Sequence, residues 1–207
     1  VTVSGLGTYR GVKGEGIWQR YGLWLVAASL CLLIGLVAGI VIAAEMAGAD
    51  SELGSFADGF LKALPDLTMD ASLETGTALA GNWRFIAVIW FLGLSVFGIP
   101  LIGLLLFLRG FALGFAVSFL VGRQLSAGLL VAILGVLPQN LLLIPAMVVA
   151  GALAAVFAKN LWRGNILWQS IAKYSGCFIV IFLVAAVAAW LQGYVSPALL
   201  KGVLSLI

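Results

Sequence analysis

From residue 23 to residue 44 the chain carries no charged side chain. About 20 consecutive apolar residues, rising 1.5 Å each, span the hydrocarbon core of a bilayer, so a run of this length is a membrane-crossing helix before anything else. Similar runs recur along the chain, and composition generalises the point. The 207 residues are 63% hydrophobic and 9% charged, with a mean hydropathy of +1.19. Soluble chains carry about 25% charged residues. Eleven Lys/Arg and 8 Asp/Glu cannot cover a globule of this size with a surface that water accepts, so most side chains face lipid or one another.

The same composition removes whole classes of chemistry. With no histidine there is no imidazole acid or base, no Ser-His or Cys-His nucleophile pair and no His-ligated zinc or haem. Two cysteines, Cys31 and Cys177, are too few for a disulfide framework or a four-thiolate metal site, and both fall in apolar runs. Neither a cofactor nor a metal is expected. The net charge of +3 does not point to nucleic acid, because the cations are dispersed at the edges of apolar runs and form no patch.

Reading the chain with a 19-residue window predicts an all-α, polytopic membrane protein forming one domain over 1–207. The segment 1–22, with Arg10, Lys13 and Arg20, is cytoplasmic by the positive-inside rule. The first span covers 23–44 and is too long for a cleaved signal. Residues 48–80 form an extracytoplasmic loop: Glu45, Asp50, Glu52, Asp58, Asp66, Asp70 and Glu74 gather around it against a single Lys62. The remaining bundle is 83–196. Its second span is expected over 85–108, ending at Arg109 on the cytoplasmic side, with Pro100 kinking it. A third apolar stretch begins at Gly110. Lys159, Arg163 and Lys173 mark cytoplasm again, and a last span over 177–191 delivers the C-terminus outside. The expectation is five transmembrane helices, a broken or re-entrant segment between 122 and 145, and an amphipathic helix in the outer loop.

Three patterns single out residues. Pro138, Gln139, Asn140 and Pro145 interrupt an apolar run. Proline lacks an N–H and frees a carbonyl one turn back, and Asn140 stands where a helix N-cap is wanted. The amides serve either to satisfy the backbone of a broken helix or to line a polar site at depth, as in transporters with discontinuous helices. Gly110, Gly114, Ser118 and Gly122 form a stripe of small residues every four positions, a smooth face that lets another backbone approach closely. The spacing leaves open whether that backbone belongs to the same chain or to a homodimer partner. In the outer loop, Leu53, Phe56, Ala57, Phe60, Leu61 and Leu64 recur at helical spacing before Pro65, with Asp58 on the polar face and Asp66 beyond. This face reads as a lid on the headgroups or as a docking surface. Arg123, with no acid inside any span, is expected to snorkel to the outer surface.

The segment Val136-Leu137-Pro138-Gln139-Asn140-Leu141-Leu142-Leu143-Ile144-Pro145-Ala146, preceded by Leu108-Arg109-Gly110 and by Gly114-Phe115-Ala116-Val117-Ser118-Phe119-Leu120-Val121, strongly resembles the stage II sporulation protein M family. So does Trp90-Phe91-Leu92-Gly93-Leu94-Ser95-Val96-Phe97-Gly98-Ile99-Pro100. The resemblance implies a role in engulfment during endospore formation, in the septal and engulfing mother-cell membrane. There the family member acts with two peptidoglycan hydrolases, an amidase/endopeptidase and a lytic transglycosylase, which it localises and organises without being a hydrolase itself. The residue reading agrees, since the acids of the outer loop are scattered and hydrolysis needs a placed acid/base pair. Docking of these partners is expected at Phe56, Asp58, Phe60, Leu64 and Asp66. The alternative is a transporter or channel-like subunit using Gln139 and Asn140.

Overall fold

The computed structural model describes residues 17–47, 54–55, 57–59, 70–95, 97–123, 125–163 and 168–204, and all regular structure among them is helical. In chain order the helices are α1 (Ile17–Ala47), α2 (Ala71–Gly93), α3 (Gly98–Arg123), α4 (Leu125–Leu130), α5 (Leu137–Trp162), α6 (Trp168–Trp190) and α7 (Ser196–Leu204). One π-helical turn, Val131–Val136, joins α4 to α5, and a second, Leu191–Val195, joins α6 to α7. Four stretches are long and apolar enough to cross a membrane: Tyr21–Met46, Gly98–Arg123, Gly128–Trp162 and Gln169–Leu200.

Four apolar spans, not five, is a correction with a local cause. The helix expected over 85–108 does not exist. The chain turns between α2 and α3, where the N–H groups of Leu94, Ser95 and Gly98 donate to the carbonyls of Phe91, Leu92 and Ser95 at 3.0–3.1 Å. A Cβ at Gly98 would collide with the Leu92 carbonyl, so this tight return needs glycine there. Pro100 consequently sits in the first turn of α3, where its missing N–H costs nothing, and does not kink a span. Arg109, expected at the cytoplasmic edge, lies in the middle of one unbroken helix. The other helix at this turn, α2, matches the spans in length, but its first half carries Glu74, Thr75, Thr77 and Asn82 and it is not among the apolar four.

Helix directions follow from the contacts. A Cβ at Gly35 or Gly39 of α1 would strike the carbonyls of Phe107 or Phe111 of α3, and one at Gly110 or Gly114 those of Leu32 or Leu36. Both numbers rise together, so α1 and α3 run parallel. Along α3, Phe107, Phe111, Phe115 and Phe119 stack in succession, with ring centroids 6.5, 6.0 and 5.6 Å apart. In contrast, α2 is antiparallel to α6. Trp90 meets Tyr174 and Ser175, Trp83 donates to the Phe182 carbonyl at 3.2 Å, and Gly193 abuts Thr75. α2 therefore travels the depth of the bundle from end to end. At the centre is α5: its apolar window is 61% buried, against 22% for α1 and for α3. Alanines 146, 150, 154 and 158 let its neighbours close in, and Ile86, Ile89, Leu106, Leu143, Met147 and Phe178 fill the core.

The expected broken or re-entrant segment is also corrected. Residues 125–162 form one continuous rod without an exposed break. Each π turn stands just before a proline. The Leu137 N–H donates to the Ala132 carbonyl ahead of Pro138, and the Ser196 N–H to the Leu191 carbonyl ahead of Pro197. A proline ring clashes with the carbonyl four residues back; lengthening the bond to five residues displaces that carbonyl, and the helix continues. Beyond the second π turn, α7 packs on the first, with Leu200 Cδ1 reaching the Gly135 site.

Candidate functional site

Two polar places stand out in this apolar bundle. The first lies between the π turns. Ser196, 3% exposed, donates through Oγ to Gln139 Oε1 at 3.0 Å, and both side chains are buried. Asn140 does not cap a helix as expected. It lies inside α5, its Nδ2 donates to the Val136 carbonyl at 2.7 Å, and the Val136 position at the helix start has no side-chain cap. Its Oδ1 is buried and accepts nothing among the described residues. Pro145, inside the helix, withdraws the donor that the Leu141 carbonyl would use. Leu137, Asn140, Leu141, Ile144 and Pro145 line a shallow apolar groove on the outside of the rod.

The second place is at the end of the α1/α3 pair. Arg123 does not snorkel alone: its Nε donates to Asp58 Oδ1 at 3.1 Å and its Nη2 to Oδ2, a bidentate, half-buried pair. Beside it, Ala57 packs against Ala43 and Phe119. A piece of the acidic loop is thus fixed to the helices by charge and by apolar contact. Residues 54–55 and 57–59 are helical; Phe56, Phe60, Leu64 and Asp66 lie outside the described residues. The loop's far end is anchored by Asp70, whose Oδ1 accepts from the N–H groups of Ser72 and Leu73 and from Ser72 Oγ, at 2.9, 3.4 and 2.7 Å. These hydrogen bonds, that of the Ser72 hydroxyl foremost, hold its carboxyl below the ordinary carboxylate value.

Of the small-residue stripe, Gly110 and Gly114 face the α1 backbone and Ser118 Oγ donates to the Ile40 carbonyl at 3.2 Å, while Gly122 is exposed. The stripe is occupied within the chain, and a homodimer through it would have to displace α1. Sequence reading missed Ser196, the Asp58 pairing and the depth of Arg109. A signal for the last was available: the four-residue phenylalanine period continues across Arg109, as only a single helix allows.

The order of helices, the acidic loop and the proline-interrupted rod can be compared with known proteins. Residues 28–197 match the family model for stage II sporulation protein M. The chain belongs to this family. No curated protein and no solved structure matches it. Membership brings a role in engulfment during sporulation and a place among multi-pass membrane proteins, in a family that is generally non-catalytic.

Proposed function

We propose that this chain is a non-enzymatic membrane scaffold that holds an amidase/endopeptidase and a lytic transglycosylase against the engulfing mother-cell membrane. The observation that supports this most is the attachment of the acidic loop by Asp58–Arg123 and by Ala57 on Phe119. Confining partners to a loop attached at one end of the bundle raises their effective concentration without any new chemistry. The docking residues are Phe56, Phe60, Leu64 and Asp66, outside the described residues; Asp58, expected among them, is engaged by Arg123.

Charge segregation supports the orientation. Lys159 stands 5.7 Å over the Trp24 ring, so the end of α5 meets the start of α1, and Arg163 and Lys173 lie at that same end. Glu45, Asp58, Asp70 and Glu74 lie at the other. The basic end is cytoplasmic, which puts the N-terminus inside and α7 outside. The test is recovery of both hydrolases with the tagged protein from sporulating membranes. Phe56→Ser with Phe60→Ser should abolish recovery while the protein stays folded; unchanged recovery sinks the loop-docking idea.

Asn140 Oδ1, without a hydrogen-bond partner among the described residues, favours a second reading, a channel-like or transporting subunit with a polar site between the π turns. Asn140→Leu separates the two: a transporter keeps its assembly and loses flux, whereas a scaffold loses stability or assembly.

A further inference from the structure

Two arginines lie at mid-depth in the bundle with no acid to meet them among the described residues. Arg109 is 11 residues from the start of Gly98–Arg123 and 14 from its end, about 16 and 21 Å at 1.5 Å per residue. Its guanidinium carbon stands 5.9 Å over the Phe85 ring of α2, and its Nε is buried without a hydrogen-bond partner among the described residues. Arg84, the residue before Phe85, is exposed on α2 and has no ion pair among the described residues. It lies 13 residues from one end of Ala71–Gly93 and 9 from the other, about 20 and 14 Å. Charges at such depth are costly and are normally met by a partner or by water. The described acids are all elsewhere: Asp58 is taken by Arg123, Asp70 caps α2, and Glu45 and Glu74 lie towards the far end.

The α2 face that carries Arg84 is also uncovered. Leu73, Gly76, Thr77, Ala80, Gly81, Arg84, Val88 and Phe91 recur there at three- and four-residue spacing, all exposed. A Cβ added at Gly76 or Gly81 meets nothing within 4 Å, whereas one at Gly35, Gly39, Gly110 or Gly114 runs into a neighbouring backbone. A helix face of small residues with an exposed cation midway along it is poorly matched to lipid and well matched to another helix.

We infer that this face receives a transmembrane helix of another membrane protein, one that carries an Asp or Glu near its centre to pair with Arg84 and Arg109. A second copy of this chain is a poor occupant, because a two-fold axis through the face sets Arg84 against Arg84 and like charges repel. The inference deepens the scaffold reading by giving the chemistry of one held partner.

The test places a photoreactive amino acid at Gly81 of the full chain in native membranes, with Ile179 on the lipid face of α6 as control. Expected is an adduct at Gly81, absent at Ile179, whose cross-linked peptide maps to an apolar span containing an acid. Its yield should fall at least tenfold in Arg84→Gln and in Arg84→Gln/Arg109→Gln, and Arg84→Glu/Arg109→Gln combined with an acid-to-Arg change in the partner should restore it. An adduct to lipid only, to a second copy, or of unchanged yield in the exposed-site variant Arg84→Gln overturns the inference. Hydrolase recovery from the same membranes keeps the two ideas apart. Recovery without a Gly81 adduct defeats this inference alone, and an adduct without recovery defeats the scaffold reading alone.

Discussion

Replacing Gly110 and Gly114 together by Ala should loosen the parallel pair of α1 and α3. An alanine gains about 0.5–1 kcal/mol per site over glycine in a helix interior. Against that, each new Cβ would stand closer than 3.0 Å to the carbonyl of Leu32 or Leu36. These are backbone atoms that cannot rotate aside, so the cost falls at the upper end of the roughly 1–3 kcal/mol typical of overpacking. The net loss is about 2 kcal/mol for one site. Both methyls push the same helix away, so the double variant should lose less than the sum, about 3 kcal/mol. Thermal unfolding in detergent, followed by tryptophan fluorescence, reads the loss. Gly176→Ala is the control, since its Cβ meets nothing within 4 Å, and it should hold or slightly raise stability. A double variant as stable as that control would refute the close-contact argument.

Three further outcomes follow from individual contacts. Ser196→Ala strands the buried Gln139 Oε1 and should cost about 1–3 kcal/mol, whereas Ser196→Ala with Gln139→Met, which removes both partners, should cost less; unfolding midpoints of the three variants decide. Asp58→Asn and Arg123→Gln should each destabilise, and a double-mutant cycle should give a coupling near 1 kcal/mol, modest because the pair is half-exposed. Because the folded Asp70 carboxyl titrates below its ordinary value of 3.8, its cap on α2 is present at neutral pH and is lost as pH falls through that lowered value. Amide exchange at Ser72 and Leu73, corrected for intrinsic rates, should rise only in that acidic range, and Ser72→Ala should move the onset to higher pH.

Much of the architecture is readable from hydropathy. The run ending near Ala44 and the cations Lys159 and Arg163 fall within a turn of real helix ends, since burial in lipid acts on each residue independently. The turn between α2 and α3 is hidden because Leu94 and Phe97 are as apolar as the helices they separate, and what decides it is the approach of Gly98 to the Leu92 carbonyl. The π turns are hidden for a related reason. Pro138 and Gln139 look like a break until a widened turn and the distant Ser196 accommodate them, and neither leaves a local pattern. Spacing alone shows that Gly110, Gly114 and Ser118 share a face; that α1 fills it depends on a parallel pairing of residues some 78 positions apart, as in the Ser118–Ile40 contact. Arg109 was misplaced because a charge between two apolar runs normally marks a membrane edge, and only the phenylalanine period contradicts that.

The scaffold account rests on the outer loop as the place where hydrolases bind, and flotation tests it most directly. The full chain is reconstituted in liposomes, mixed with the purified soluble domains of the amidase/endopeptidase and the lytic transglycosylase, and floated through a density gradient. The account predicts that both domains rise with liposomes carrying the wild-type chain, and that neither rises with empty liposomes or with the Phe56→Ser/Phe60→Ser variant. Equal flotation with the variant, or none with the wild type, would contradict it.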